Sequence, residues 1–275
     1  MVTFDSRSVP VNKPLPPLAP SGIGSHIVYE DHLLLVIDKP ANLLVHPTGP
    51  GRPETLWDEL KRLLAFEIVN GAQISLINRL DRETSGLVLV AKSSECARQL
   101  GLMMTRHRIQ KIYTAIIFGW PAEDAFTVNQ PLLRQGTVQP SRVWLKQIVH
   151  PDGAPAKTAF EVTQRFRVRE HHLALVTARP KTGRTHQIRV HLAYIGHSIV
   201  GDKIYGPDEN CYLKFIASGW TPELEEKLLL SRQALHASGL CFEYGGRKFD
   251  LRSDLPPDMR VFFGHSEELR RLYIS

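Results

Sequence analysis

Residues 156–180 read AKTAFEVTQRFRVREHHLALVTARP. Two runs rich in apolar and β-branched residues, AKTAFEVTQRF (156–166) and HHLALVTARP (171–180), flank the polar RVREH. This is the pattern of an antiparallel strand pair. Working outward, KIYTAIIFG (111–119) is another strand, stopped by Gly119 and Pro121. SGLVLVAKS (85–93) and HLLLVIDKP (32–40) have apolar centres, as buried strands do, and Pro40 ends the second. LCFEYGGRKFDL (240–251) is a hairpin with Gly245 and Gly246 in its turn. Helices are few. SECARQLGLMMTRHR (94–108) has helical spacing at Cys96, Leu100 and Met103 or Met104, with Ser93 or Ser94 as cap. HQIRVHLAYI (186–195) is a second helix, with Thr185 as cap, Gly196 just past its end, and Ile188, Leu192 and Ile195 on the buried face. Strands followed mostly by strands predict an α+β fold with a largely antiparallel sheet.

The chain of 275 residues is 43% hydrophobic and 23% charged, enough to bury a sizeable core. Pro10, Pro14, Pro16, Pro17 and Pro20, with Gly22 and Gly24 after them, predict a flexible arm over residues 1–25. One domain is expected over residues 26–275. A net charge of +6 suits a polyanionic partner such as nucleic acid, and equally a basic enzyme without one. Cys96, Cys211 and Cys241 stand singly, so neither a disulfide framework nor a cysteine zinc site is expected. The longest apolar stretches, such as residues 33–37, are too short to span a bilayer, and the opening residues lack the apolar core expected of a signal peptide. Reduced thiols then fit a cytoplasmic protein, with a monomer as the default.

Two segments concentrate polar chemistry. INRLDRETSGLVLVAK (77–92) places Asp81 between Arg79 and Arg82, at the mouth of a buried strand. RPKTGRTHQIRVHLAYIGHSIVGDKIYG (179–206) sets a TGR turn against a helix start, so Arg184 marks an anion-facing corner, with His186 beside it as a further substrate contact. Metal binding is not expected: His186, His191 and His197 are spaced by five and six residues, which puts no two on one helical face. No HExxH, GxGxxG or GK[ST] motif occurs, and Ser85 sits in a TSG turn rather than a GxSxG elbow. Basic residues Lys157, Lys181, Arg165, Arg167 and Arg169 either extend a binding surface or form a solvated charged strand.

NRLDRETSGLVLVAK, then KIYTAIIFG, then TGRTHQIRVHLAYIGHSIVGDKIYG resemble the RluA family of RNA pseudouridine synthases. The opening YEDHLLLVIDKPANLLVHP and the late QALHASGLCF resemble its first and closing motifs, so the resemblance spans about residues 27–260 in the family's order. It implies a mixed, mainly antiparallel central sheet with flanking helices and loops, and a cleft across its middle. It implies isomerisation of uridines in ribosomal or transfer RNA, without a cofactor. Asp81 takes the place of the family's nucleophile and Tyr113 that of the tyrosine stacking on the target base. Arg189 takes the place of the arginine pairing with the aspartate, and Arg79 that of the arginine holding the nucleotide out of its helix. The chain departs from the family in two ways. Asn78 stands where many members have histidine, a change expected to alter substrate contacts. Only about 25 residues precede the first motif, so the S4 RNA-binding domain of many members is expected to be absent and RNA binding to fall to the catalytic domain.

A carboxylate kept ionised in a dry cleft needs a cation within reach, which lowers its pKa by roughly 1–3 units against burial, and Arg189 suits that task. Flipping a base costs a few kcal/mol, and an aromatic platform such as Tyr113 returns about 1–3. Two rivals stand against this reading. One is a non-catalytic RNA-binding ribosome-assembly factor of the same fold. The other is a metal-free nuclease using His186 or His191.

Overall fold

The structure, a computed structural model, describes residues 26–49, 53–208 and 210–263. The arm expected over residues 1–25 and the chain beyond residue 263 lie outside the described residues.

The order of elements opens with β1 (Ile27–Glu30), β2 (Leu34–Lys39), α1 (Leu56–Leu63), α2 (Ala65–Val69), β3 (Ser75–Leu76), β4 (Ser85–Ala91) and α3 (Ser94–Thr105). It continues with β5 (Gln110–Phe118), β6 (Ala125–Asn129), β7 (Leu132–Arg134), β8 (Gln147–Val149), β9 (Lys157–Val168) and β10 (His171–Pro180). Then come α4 (Gln187–Tyr194), α5 (Asn210–Ser218), α6 (Pro222–Leu228), β11 (Leu235–Tyr244), β12 (Arg247–Arg252) and α7 (Pro257–Arg260). Ten strands form one sheet in the order β1-β2-β4-β11-β5-β10-β9-β6, with β3 on β4 and β12 on β11. Every pairing is antiparallel except β11 with β4, where His236 faces Ser85 and Ala237 faces Gly86. The sheet is therefore mixed and mainly antiparallel, as expected.

The apolar runs are continuous because the middle of the sheet is covered on both faces. Val88 and Val90 enter one core cluster with Leu35 and Ile37, while Leu87, Leu89 and Ala91 enter the other with Leu34 and Val36. That is the two-residue alternation of a strand, with both faces apolar. Gly86, at φ 110, allows the single parallel pairing: a Cβ there would lie 2.3 Å from the Ala237 carbonyl oxygen. β9 and β10 pair from Val168–His171 to Thr158–Pro180. The strands thus continue through part of RVREH, and the turn shrinks to Arg169 and Glu170, with Arg169 in the left-handed region at φ 52.

Helix α3 is capped by Ser93, whose side chain accepts from the Cys96 amide. Past α4, the Gly196 amide donates to Ala193 and the His197 amide to Leu192, with Gly196 at φ 81. This is a Schellman ending, and it confirms Gly196 in its expected place. The start of α4 differs from expectation. Thr185 does not cap it; His186 does, in the left-handed region and with no side-chain bond to the helix. Gln187 instead ties the helix start to the turn before it: its Oε1 accepts from the Arg184 amide at 3.0 Å and from Thr182 Oγ1 at 2.7 Å.

Asn78 faces into the sheet. It is buried, its Nδ2 donates to Leu87 O at 3.1 Å and its Oδ1 accepts from Leu89 N at 2.8 Å. The side chain therefore satisfies two backbone groups of β4 that β3 is too short to reach. Asn78→Ala would leave both unpaired, and we expect it to cost about 2–3 kcal/mol in urea denaturation.

Candidate active site

The site lies in the middle of the sheet, where β4, β11 and β5 adjoin. The turn entering β4 carries Asp81, closed by the bond from Thr84 N to Asp81 O at 3.1 Å. Neither Arg79 nor Arg82 pairs with its carboxylate. Arg189, the third residue of α4, does: Nη1 donates to Asp81 Oδ2 at 2.8 Å.

The rest of the guanidinium belongs to a residue that the sequence reading overlooked. Arg189 Nε and Nη2 grip Asp202 at 2.6 and 2.9 Å, and Asp202 Oδ1 also accepts the amides of Ile204 and Tyr205 at 3.0 Å each. Asp202 is fully buried, whereas the Asp81 side chain keeps 29% of its surface. The bidentate pair fixes the guanidinium plane, so one N–H points at Asp81 while part of that carboxylate stays open to solvent. Burial is the largest single influence on Asp81 and pushes its pKa upward, but the Arg189 charge, His186 beside it and the hydrogen bond from Arg189 together hold the group below the usual carboxylate value. Asp202 is held low by the same opposition. The proximity of two carboxylates keeps Arg189 firmly protonated despite its burial.

His186 and Tyr205 form the adjoining wall. His186 Nε2 lies 3.8 Å from Asp81 Oδ2, and Nδ1 bonds the Tyr205 hydroxyl at 2.8 Å. The same hydroxyl accepts the Gln147 amide at 2.8 Å, which ties the wall to the start of β8. Burial and Arg189 lower the His186 pKa to about 4, so the ring is neutral at pH 7. It is not a cationic phosphate clamp.

Tyr113 is buried on β5 and belongs to the main core cluster. Burial and the Asp81 charge both raise its pKa, which keeps it a phenol at neutral pH and argues against phenolate chemistry. Arg79 is exposed and forms no side-chain hydrogen bond or ion pair among the described residues. Arg184 is also exposed, its Nε donating to Pro155 O at 3.2 Å. Thus Asp81, Arg189, His186 and Tyr113 are brought together, and the two expected arginine contacts stand on the surface.

A buried scaffold holds the Asp81 turn. Lys39 is inaccessible and donates to Pro40 O at 2.8 Å, Leu43 O at 2.9 Å and Arg82 O at 3.3 Å. Burial lowers its pKa to about 7. Glu83 pairs with Lys203 at 2.9 Å, and Gln233 Nε2 bonds Thr84 Oγ1 at 2.8 Å. Asp202, Lys203 and Tyr205 all lie in the GDKIYG stretch that ends the second polar segment. A carboxylate followed by a lysine between glycines looks like an exposed turn, so their burial had no local signal.

Other candidates fall away for structural reasons. Ser85 is the first residue of β4, not part of the turn; it is buried beneath β11 and bonds His236 Nδ1 at 2.9 Å. His191 is buried, bonding Thr158 Oγ1 and Gln130 O at 3.0 Å each, which removes it as a nuclease acid or base. Arg165 is tied to Asp124 at 2.6 Å and to Pro121 O at 2.8 Å, as a solvated strand would have it. Among the described residues no His, Cys, Asp or Glu cluster could hold a metal ion, and no helix is long and apolar enough to cross a membrane.

Comparison with known proteins agrees with this geometry. Residues 33–194 match the model of the RNA pseudouridylate synthase family. Ribosomal large subunit pseudouridine synthase D of Zymomonas mobilis subsp. mobilis is 33% identical, over 92% of this chain and 77% of the relative. The protein of the same description from Escherichia coli (strain K12) is 35% identical, over 87% of this chain and 70% of the relative. Among solved structures, human RNA pseudouridylate synthase domain containing 4 superposes with a TM-score of 0.65 at 25% identity, over 86% of this chain and 91% of that one. Human RNA pseudouridylate synthase domain containing 1 shares the fold, with a TM-score of 0.64 at 22% identity over 86% of each chain.

Proposed function

The chain belongs to the RluA family of RNA pseudouridine synthases, isomerases acting on RNA, and from that premise we propose that it modifies uridine in large-subunit ribosomal RNA with Asp81 as nucleophile. The observation that carries the assignment is the Asp81 carboxylate itself: held below its ordinary pKa, partly open, and oriented by an Arg189 bond at 2.8 Å. The isomerisation breaks the N1–C1′ bond, turns the base over and joins C5 to C1′. N1 ends with a proton and the C5 proton leaves, so no electrons are exchanged with a second reactant. Asp81 adds to the sugar C1′ or the base C6 and is released at the end.

Because the Asp81 carboxylate could reach neither atom of a uridine stacked within RNA, the target is flipped out, at a cost of a few kcal/mol. Tyr113, beside Asp81, is the stacking surface for the flipped ring, and its protonated hydroxyl suits a contact rather than a base. Exposed Arg79 fills the space left by the nucleotide, Arg184 meets phosphate, and neutral His186 contacts the nucleotide while limiting water around Asp81. The ribosomal target is taken from the relatives named above; transfer RNA is the other class.

Tritium release from RNA labelled with 5-³H-uridine tests this reading. We expect wild type to release tritium from unmodified large-subunit ribosomal RNA and not from unmodified transfer RNA, with Asp81→Ala silent on both. Release from transfer RNA alone overturns the target. Binding without release from either RNA returns the protein to a non-catalytic assembly role.

A further inference from the structure

Residues 130–156, between β6 and β9, do not join the large sheet. β7 and β8 pair only with each other, as a separate two-stranded ribbon. Its inner side is fastened to the catalytic wall. Leu132 and Ala156 pack with Val190 of α4 and with Tyr205, and the Gln147 amide donates to the Tyr205 hydroxyl that holds His186.

The outer side is different in kind. Trp144 is 72% exposed and Leu145 54%. The Arg134 guanidinium lies 4.1 Å from the centroid of the Trp144 ring, covering one face and leaving the other open. Arg142 and Lys146 follow closely in sequence, and no acidic residue stands between Asp124 and Asp152. A cleft of about 370 Å³ separates the ribbon from α4, bounded by Lys146, Gln147, Tyr194 and Tyr205. An exposed indole contributes nothing to the core, and a cation on one face with water on the other forms two layers of a stack that admits a third. Nucleobases fit it: stacking on an aromatic platform contributes about 1–3 kcal/mol for an unpaired base, and arginine reinforces it. The acid-free run supplies the positive field that a phosphate backbone requires.

We propose that the β7–β8 ribbon is a single-strand RNA clamp, in which Trp144, backed by Arg134, stacks an unpaired base flanking the target uridine. The proposal rests on RNA being the substrate of the Asp81 cleft. Trp144 precedes Gln147 by three residues, a reach of at most about 10 Å, whereas one stacked nucleotide advances about 3.4 Å. The platform therefore serves a neighbour within a few nucleotides, leaving the target itself to Tyr113. Arg142 and Lys146 take adjacent phosphates.

The test compares Trp144→Ala, Trp144→Phe and Phe66→Ala, the last an aromatic on α2 that is 78% exposed and belongs to neither strand of the ribbon. Affinity for unmodified large-subunit ribosomal RNA and for transfer RNA is measured by filter binding at fixed salt, alongside tritium release. Trp144→Ala is expected to weaken binding of the modified RNA about 5- to 150-fold, with the loss falling on KM more than on kcat. Trp144→Phe is expected to stay within about threefold of wild type, and Phe66→Ala to change nothing. Binding by Trp144→Ala within twofold of wild type overturns the clamp, as does an equal loss in Phe66→Ala. Failure of the underlying reading registers separately, as absence of release by wild type, and the binding ratios still decide the platform.

Discussion

Asp81→Asn is expected to lower single-turnover tritium release by on the order of 10⁴-fold or more, while RNA affinity stays within about threefold. The replacement has nearly the same shape, and its amide oxygen can still accept from Arg189 Nη1. The guanidinium does not move, because Asp202 holds it through two bonds at 2.6 and 2.9 Å that the substitution leaves intact. The lost charge was itself opposed by its neighbour Asp202, so the change in stability is expected within about 1 kcal/mol, as for a partly exposed pair. Nucleophilicity disappears. An amide forms no covalent intermediate with a sugar or uracil carbon, and the remaining groups contribute only positioning. A residual rate within a hundredfold of wild type would remove Asp81 as nucleophile, since Arg189, Tyr113 and the bound RNA could not alone sustain it.

The parts of this site that the sequence disclosed are those with a local or motif-level signature. The strands of the sheet's middle announce themselves by apolar runs, and Ser93 and Gly196 mark helix ends by their own backbone chemistry. Asp81, Tyr113 and Arg189 emerge from ordered motifs, although nothing local distinguishes Asp81 from a surface partner of Arg79 or Arg82. What stayed hidden depends on long-range folding. Asp202 is thirteen positions beyond Arg189, and only the return of the chain over α4 buries it. Asn78 reads as a substitution near the substrate, yet it points into the sheet because β3 has two residues and leaves β4 amides to be satisfied. Thr185 does not cap α4, and the start of that helix is instead tied to the preceding turn by Gln187, through Thr182 and Arg184.

Arg189→Met is expected to destabilise the fold at pH 7 by about 3–5 kcal/mol and to reverse its acid-side pH dependence. In the wild type, Asp81 and Asp202 titrate below their ordinary value, because the charge and hydrogen bonds of Arg189, with the smaller help of other neighbours, overcome burial. Carboxylates lowered in this way stabilise the folded state above the unfolded pKa of about 4, and that stability is lost as pH falls through the folded values. Removing the guanidinium leaves burial and the mutual repulsion of two anions largely unopposed. Both terms raise the folded pKa values above those of the unfolded chain, most of all at inaccessible Asp202. Folding of the variant then takes up protons, so relative to wild type it gains stability from pH 7 toward pH 5. Urea midpoints at the two pH values read this directly: the gap between the proteins should narrow at pH 5. A gap of unchanged size would mean that Arg189 does not set the ionisation of the pair. Arg189→Lys separates charge from geometry. An ammonium restores one cation but cannot span Asp202 bidentately while offering a third donor to Asp81. Stability should therefore recover further than turnover, because turnover depends on the direction in which the Asp81 carboxylate is held.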